Sequence, residues 1–211
     1  MIKLVIFDFD GVIAQTETLN MRVFMKQLDE AGVSYTHDDI SNFMGVSHLD
    51  FRNVMDATFG NQEAYRNWDK IHGPWFKYYP EDPHELLTEN IEELLIYLKN
   101  KNIPCSIATN AVPVIGRDIL EKTNLMHYFD KFYSGTETGH IKPDPFVFEE
   151  AIRDHNVLPE EAIVIEDSPL GIRAGKAAGA FTIALRDVDG FARQQEADVI
   201  ITSILEVEKY V

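Results

Sequence analysis

The hydrophobic positions of the 211-residue chain follow two patterns that meet near residue 84. The chain opens with a β-branched and aromatic run, MIKLVIFDFD, which predicts a buried strand over residues 1–10 that stops at acidic residues. Between about 15 and 83 no comparable run occurs, and apolar residues recur at helical spacing. This stretch ends in aromatic residues that we expect to pack in a small helical core: Trp68, Trp75, Phe76, Tyr78 and Tyr79.

From about residue 84 onward, predicted helices and strands alternate. The helical pattern covers 89–100, 113–122, 145–155 and 169–178. Apolar runs predict strands at 103–108, 131–134, 162–166, 180–185 and 198–201. This alternation indicates right-handed crossovers and a parallel sheet, and the continuous apolar runs indicate strands that are covered on both faces. The predicted fold class is α/β, with a Rossmann-like, doubly wound, mostly parallel sheet.

The two patterns also predict a division of the chain. Residues 1–14 and 84–211 would form the α/β core, and residues 15–83 would form an all-helical cap inserted after the first strand. In open α/β sheets, ligands bind outside the carboxyl ends of the strands. A helical insertion at that position would therefore lie over the ligand site.

Polar residues follow four of the predicted strands. They are Asp8-Phe9-Asp10-Gly11, Thr109-Asn110, Lys142-Pro143-Asp144-Pro145 and Glu166-Asp167-Ser168-Pro169. In a parallel sheet these groups collect at one edge, where they bring together carboxylates, a hydroxyl, an amide and an ammonium group. That collection suits phosphoryl transfer.

Each type of group has a use in that chemistry. Clustered carboxylates repel one another unless a cation binds between them, and an oxygen-rich site of this kind suits Mg²⁺. Lys142 supplies a compact positive charge for a phosphate oxygen, and Thr109 and Asn110 supply hydrogen bonds without adding charge. Asp8 and Asp10 can divide the work of a nucleophile and a general acid/base.

Simpler explanations exist for several of these residues. Glu166 and Asp167 could merely favour the helix start that Ser168 and Pro169 indicate, and Thr109 could simply end a strand. A second D-x-D-G sequence, Asp187-Val188-Asp189-Gly190, follows another apolar strand without the downstream Thr, Lys and Glu-Asp series. It predicts a turn whose acids could pair with Arg186. His37, His48 and His72 are scattered and lack metal-ligand spacing.

These four motifs, in this order, resemble the haloacid dehalogenase (HAD) superfamily, and the insertion between the first and second resembles its helical-cap branch. The resemblance implies that Asp8 attacks phosphorus to form an aspartyl-phosphate. It implies that Asp10 protonates the leaving alkoxide and then deprotonates the attacking water. Mg²⁺ would be held by the Asp8 carboxylate, the Asp10 backbone carbonyl and Asp167, with Glu166 as a further ligand. Thr109, Asn110 and Lys142 would bind the phosphate.

The function expected from this resemblance is a Mg²⁺-dependent phosphatase that hydrolyses a small phosphate monoester, such as a sugar phosphate or phosphoglycolate. A β-phosphoglucomutase-like phosphomutase is the first alternative. Members with mutase activity commonly carry Asp, His and Arg at the positions of Gln15, Asn20 and His48, and these three departures favour hydrolysis. A receiver-type phosphoacceptor domain and a non-catalytic binding protein are further alternatives. The inserted helices fit the former poorly, and the complete set of acids, Thr and Lys argues against the latter.

The composition of the chain limits the classes of molecule that it is expected to bind. The 19 basic and 35 acidic residues give a formal net charge of −16, which disfavours binding to nucleic acids and anionic membranes. The single cysteine excludes an intramolecular disulfide framework. The sequence contains no run of 18 consecutive apolar residues, so it predicts no membrane-spanning helix. We expect a cytoplasmic enzyme that acts on a small phosphorylated metabolite. The sequence does not predict its oligomeric state.

Overall fold

The computed structural model describes residues 1–71, 73 and 75–211. His72 therefore lies outside the described residues, and Trp75 and Phe76 lie outside the described side chains. The described residues contain one six-stranded sheet in which every neighbouring pair is parallel, in the order β3-β2-β1-β4-β5-β6. The strands are β1 (Leu4–Phe7), β2 (Cys105–Thr109), β3 (Lys131–Ser134), β4 (Ala162–Glu166), β5 (Phe181–Leu185) and β6 (Val199–Ile201).

Nine α-helices lie in the described parts of the chain. They are α1 (Thr16–Ala31), α2 (His37–Ser41), α3 (Phe51–Phe59), α4 (Tyr65–Ile71), α5 (Ile91–Asn100), α6 (Pro113–Lys122), α7 (Gly135–Thr138), α8 (Phe146–Asp154) and α9 (Pro169–Ala177). Within those parts, no helix has both the length and the apolar character that crossing a bilayer requires.

Hydrophobic layers cover both faces of the sheet. Val5 and Phe7 on β1 pack in one buried cluster with residues of α5 and α6, whereas Leu4 and Ile6 pack in a second cluster with residues of α8 and α9. Successive side chains of a strand point to opposite faces, so a strand between two layers must be apolar at every position. The fold is thus the predicted doubly wound, parallel α/β fold.

Helices α1 to α4, here called the helical segment (residues 16–71), have a hydrophobic cluster of their own. Phe24 lies at its centre, with ring centroids 4.8 Å from Phe43 and 5.3 Å from Phe51. Trp68 is buried in this cluster, as the sequence predicts. Tyr78 is instead exposed, and Tyr79 packs against the cluster on the α5 face of the sheet, so the predicted aromatic core does not extend to these two residues.

Two connections join the helical segment to the sheet, and they run side by side. The Gln15 N–H donates to the Leu86 carbonyl over 2.7 Å, and the Thr88 N–H donates to the Ile13 carbonyl over 3.0 Å. Ala14 and Leu87 form an antiparallel bridge between the two connections. The bridge lies close to the predicted boundaries at residues 14 and 84. The division into core and cap stays a prediction.

Candidate active site

Strand register brings the predicted site residues to one edge of the sheet. Phe7 on the central strand β1 pairs with Ile107 of β2 on one side and Ile165 of β4 on the other. The residues that follow these three positions therefore leave the sheet at the same level. Strand β1 is also where the strand order reverses direction, which is the place where open α/β sheets bind ligands.

A cavity of about 690 Å³ opens at this edge, between the strand ends and the helical segment. All seven predicted site residues line it: Asp8, Asp10, Thr109, Asn110, Lys142, Glu166 and Asp167. The helical segment contributes polar and apolar lining, including Glu17, Asn20, His48, Phe51 and Arg52. This volume is within the usual range for small-molecule sites.

Lys142 lies at the base of the cavity and is 3% exposed, so it is not a surface lysine. Its Nζ donates to Asp8 Oδ1 over 2.7 Å, to Glu166 Oε1 over 2.6 Å and to the Ala108 carbonyl over 2.7 Å. These three bonds use all three ammonium hydrogens. Lys142 therefore joins the first, third and fourth predicted motifs in one buried cluster.

Glu166 uses both carboxylate oxygens. While Oε1 accepts from Lys142, Oε2 accepts from the Asp167 N–H over 3.1 Å, the Ser168 N–H over 3.2 Å and the Ser168 hydroxyl over 3.1 Å. Gly171 makes room for this arrangement, because a Cβ on Gly171 would lie 1.7 Å from Glu166 Oε1. Glu166 thus orients both Lys142 and the turn into α9.

Asp167 differs from Glu166 in its surroundings. No donor among the described residues bonds to its carboxylate, and Ser168 caps α9 by accepting from the Gly171 N–H over 3.0 Å. The alternative in which Asp167 only caps the helix therefore finds no hydrogen bond to support it. Gly11, at φ +77°, lies against this carboxylate, and a Cβ at Gly11 would be 1.9 Å from Asp167 Oδ2.

Asp10 lies just beyond β1, where the chain turns toward the helical segment. Its Oδ1 accepts a short hydrogen bond from the Thr16 hydroxyl at the start of α1. Burial raises the pKa of Asp10, and the Thr16 bond acts in the opposite direction. A carboxyl group with a raised pKa is suited to donate and accept a proton near neutral pH.

Burial also raises the pKa of two other cavity carboxyl groups, Asp8 and Asp167. The pKa of Asp8 is raised to about 7 by loss of hydration, against the opposing effect of Lys142. The pKa of Asp167 is raised well above its ordinary value by burial and then by the neighbouring Glu166. Burial therefore disfavours the ionised forms of these carboxyl groups, and a bound cation would favour them.

Thr109 and Asn110 end β2 and reach the cavity. Thr109 is 1% exposed, and its hydroxyl oxygen accepts from the Ala111 N–H over 3.0 Å, which leaves its proton to be donated. Asn110 Oδ1 accepts from the Lys142 N–H over 2.9 Å, and its Nδ2 donates to the carbonyls of Lys142 and Gly45, each over 3.4 Å. Asn110 thus contacts both the lysine motif and the helical segment.

Three further residues at the site are not singled out by the sequence. Thr16 bonds to Asp10, and Glu17 faces the cavity from α1. Gln194 donates to the backbone carbonyls of Asp167 (2.7 Å) and Leu185 (2.6 Å). Thr16 and Glu17 lie five and six positions after the first motif, and this proximity is the only signal in the sequence for them. Gln194 lies in a polar loop that carries no such signal.

One group of metal-ligating side chains stands out in the described residues. Asp8, Glu166 and Asp167 each offer a carboxylate oxygen, and these three atoms lie within 4.8 Å of one another. All three residues are buried. Carboxylate oxygens at this spacing suit a hard divalent cation such as Mg²⁺.

Comparison with known proteins agrees with this geometry. Residues 5–185 match the family model described as haloacid dehalogenase-like hydrolase. A Thermotoga maritima protein named phosphorylated carbohydrates phosphatase is 31% identical over 178 residues, which cover 83% of this chain and 81% of the relative. The chain belongs to the haloacid dehalogenase-like hydrolases. The family predicted from the four motifs is thereby confirmed, and with it the assignment to a hydrolase family.

Further relatives of this haloacid dehalogenase-like hydrolase span nearly its full length. A Streptomyces hygroscopicus protein named validoxylamine A 7′-phosphate phosphatase is 26% identical over 207 residues, covering 98% of this chain and 96% of the relative. The crystal structure of a β-phosphoglucomutase from Clostridium difficile superposes with a TM-score of 0.73 at 23% identity, covering 99% of this chain and 96% of that one. The latter likeness establishes the shared fold.

Proposed function

We propose that this hydrolase is a Mg²⁺-dependent phosphatase that cleaves a small phosphate monoester through an aspartyl-phosphate on Asp8. The observation that carries the proposal is the buried cluster in which Lys142 joins Asp8 to Glu166 beside Asp167, at the base of a cavity of about 690 Å³. The names of the Thermotoga and Streptomyces relatives, both phosphatases of phosphorylated small molecules, support the same activity.

The donor set fits a magnesium ion. The Asp167 carboxylate lacks a donor among the described residues, and burial disfavours its negative charge, so a bound cation would compensate that charge. Asp8, the Asp10 backbone carbonyl and Asp167 would hold the ion. Glu166 would join them as a direct ligand only by exchanging one of its present hydrogen bonds. When bound, Mg²⁺ neutralises negative charge on the phosphoryl oxygens.

The side chains divide the reaction between them. In the first half, a carboxylate oxygen of Asp8 attacks phosphorus, the bond to the leaving oxygen breaks, and Asp10 donates a proton to the alkoxide. In the second half, Asp10 accepts a proton from water as the water attacks the aspartyl-phosphate, which releases inorganic phosphate and restores Asp8. Lys142 orients Asp8 and favours its ionised form, and the Thr109 hydroxyl can donate to the phosphate. Asn110 and Lys142 would donate to the phosphate only by exchanging one of their present hydrogen bonds.

Two contacts favour hydrolysis over phosphoryl transfer to a second sugar position. Gln15 Nε2 donates to Thr88 Oγ1 over 2.7 Å, and Asn20 Oδ1 accepts from the Tyr79 hydroxyl over 3.1 Å. Both side chains are neutral and are engaged in contacts within the protein. Neither supplies the charge that its counterpart does in the resembling mutases.

Hydrolysis of p-nitrophenyl phosphate tests the proposal. We expect turnover that requires Mg²⁺, stops with EDTA, and falls by about three orders of magnitude or more in Asp8→Asn. Asp118→Asn, which makes the same change on exposed α6, should retain wild-type activity. Folded protein without Mg²⁺-dependent turnover, or an Asp8→Asn variant that keeps its activity, would contradict the proposal.

A further inference from the structure

The side chain of Gln194 bridges two backbone carbonyl groups beside the candidate metal site. Its Nε2 donates to the Asp167 carbonyl over 2.7 Å and to the Leu185 carbonyl over 2.6 Å. These two bonds use both amide hydrogens. Gln194 is only 4% exposed, so bulk water does not replace this donor when it is removed. The two carbonyl groups therefore depend on the Gln194 amide.

The two carbonyl groups lie at the point where β4 and β5 stop pairing. The last paired residues of the two strands are Glu166 and Ala184. Asp167 and Leu185 follow them directly and so occupy the next register position, where the chain leaves β4 for α9. A backbone carbonyl that leaves a sheet inside a buried region needs a new donor. The Gln194 amide supplies that donor to both strands at once.

Asp167 is held differently from the other acids of the cluster. The carboxylates of Asp8 and Glu166 both accept from Lys142, whereas no donor among the described residues bonds to the Asp167 carboxylate. Only the Asp167 backbone is fixed. Its N–H donates to Glu166 Oε2 over 3.1 Å, and its carbonyl accepts from Gln194. The direction in which the Asp167 carboxylate leaves the backbone therefore depends on Gln194.

Gln194 is itself anchored by the loop of residues 186–197. Asp187 in this loop is buried, and its Oδ2 accepts from the Ala192 N–H over 3.0 Å. Ala192 packs against the hydrophobic cluster of the helical segment. On the other side, the Gln194 carbonyl accepts from the Ala197 N–H over 3.1 Å. The loop backbone is thus fixed before and after Gln194, which allows its side chain to fix a metal ligand in turn.

We propose that Gln194 is a positioning residue for the divalent cation. By holding the Asp167 backbone, it keeps the Asp167 carboxylate in the place from which that carboxylate binds Mg²⁺. Gln194 is absent from the described residues that line the cavity, so it acts through Asp167 rather than on the substrate. This inference rests on the proposed Mg²⁺-dependent function. Residues that orient metal ligands from outside the coordination shell change metal affinity by about tenfold or more.

Direct titration with Mg²⁺ tests the inference. Calorimetric titration of the full chain, without a phosphate ester, gives the Mg²⁺ dissociation constant, and we expect Gln194→Met to raise it by about tenfold or more. Methionine keeps the length of the side chain but has no hydrogen to donate. At saturating Mg²⁺, kcat for p-nitrophenyl phosphate should return to within about threefold of the wild-type value, because the metal ligands and the nucleophile are unchanged.

A second variant and a matched control accompany this titration. Gln194→Asn keeps the amide on a shorter side chain, so its Mg²⁺ affinity should lie between those of the wild-type protein and Gln194→Met. Gln27 on α1 is also buried, and no described group bonds to its amide. Gln27→Met should therefore leave the Mg²⁺ dissociation constant unchanged. The rise in melting temperature that a fixed Mg²⁺ concentration produces should be smaller in Gln194→Met and unchanged in Gln27→Met.

The outcomes separate this inference from the proposed function. An unchanged Mg²⁺ dissociation constant in a folded Gln194 variant, or an equal weakening in Gln27→Met, would overturn the inference alone. A kcat that stays low at saturating Mg²⁺ would also overturn it, because Gln194 would then act on the phosphoryl step. Failure of both Gln194 variants to fold would do the same, because the role would then be general stability. Wild-type protein that binds no Mg²⁺ would refute the proposed function and the inference together.

Discussion

At the scale of single residues, the buried carboxyl groups determine how the metal-free protein responds to pH. Burial raises the pKa of Asp8 to about 7 and of Glu17 to about 8, and it also raises those of Asp10 and Asp167. Their ordinary values lie near 4, so between about pH 5 and 8 the folded chain binds more protons at these groups than the unfolded chain does. His155, whose pKa is lowered by burial, acts in the opposite direction. The four carboxyl groups outweigh the one imidazole.

The free energy of unfolding of the metal-free protein should therefore fall as pH rises from 5 to 8. In EDTA, we expect the melting temperature to be at least ~3 °C lower at pH 8 than at pH 5.5, which corresponds to about 1 kcal/mol for a chain of this size. Added Mg²⁺ should raise the melting temperature more at pH 8, where the carboxylates are ionised. A melting temperature in EDTA that rises with pH would contradict this account of the site.

The candidate reactive residues of the site could be predicted from the sequence, whereas most of the residues that contact and orient them could not. Asp8 and Asp10 can be identified because a buried strand that stops at polar residues gives a strong pattern, and Lys142 can be identified by its motif with Pro143 and Pro145. The roles assigned to them stay predictions. The sequence does not indicate a role for Thr16 and Glu17 in the site, because a Thr and a Glu at the start of a helix are typical of capping and first-turn positions. Their contacts with Asp10 and Gly45 depend on how the helical segment packs, which local sequence does not encode.

At the scale of elements, the loop of residues 186–197, here called the strap, connects the helical segment to the site. Arg22 on α1 forms a two-bond ion pair with Asp189, at 2.8 Å for each bond. The ring of His37 stacks on Phe191 with centroids 4.7 Å apart. Because Gln194 in the same loop bonds to the Asp167 carbonyl, the strap links α1 to the backbone of a predicted metal ligand.

We expect this ion pair to affect catalysis more than stability. Arg22 is exposed, and surface pairs contribute roughly 0.2–1 kcal/mol. Asp189→Arg should lower kcat/KM for p-nitrophenyl phosphate by about threefold to tenfold, because like charges would displace α1 and with it Thr16, which bonds to Asp10. The exchanged pair Arg22→Asp with Asp189→Arg should recover most of that loss. A double variant no better than the single one would show that the pair does not hold the segment in place.

The strap also shows which features the sequence pattern predicts, namely strands and turns, and which it does not, namely long-range ion pairs. The alternation of helices and strands predicted all six strands to within a few residues, because strands buried between two layers are continuously apolar. The Asp187-Val188-Asp189-Gly190 sequence forms the expected turn, with the Gly190 N–H donating to the Asp187 carbonyl over 3.3 Å. Its ion pair, however, is with Arg22 rather than Arg186. A partner 167 residues away is fixed by tertiary packing and leaves no local pattern.

At the scale of the whole molecule, the proposed site depends on one consequence of the topology. The strand order β3-β2-β1-β4-β5-β6 places β1 between β2 and β4, so groups far apart in the chain meet at one edge of the sheet. Asp8 and Lys142 are separated by 134 positions and lie 2.7 Å apart. Parallel strand pairing could be predicted from the sequence, and this pairing predicts that the four polar motifs lie together at one edge of the sheet. The three-way bonding of Lys142 could not, because it depends on side-chain geometry inside the buried cluster.

The most direct test of the central claim is to isolate the phosphorylated protein. Asp10→Asn should slow the attack of water more than phosphoryl transfer from an activated ester, because the p-nitrophenolate leaving group needs little help from an acid. Acid-quenched Asp10→Asn treated with p-nitrophenyl phosphate and Mg²⁺ should carry a hydroxylamine-sensitive phosphoryl group on the peptide containing Asp8, and Asp8→Asn should carry none. Phosphoryl label on another residue, or turnover by the wild-type protein with no label in either quenched sample, would contradict the account.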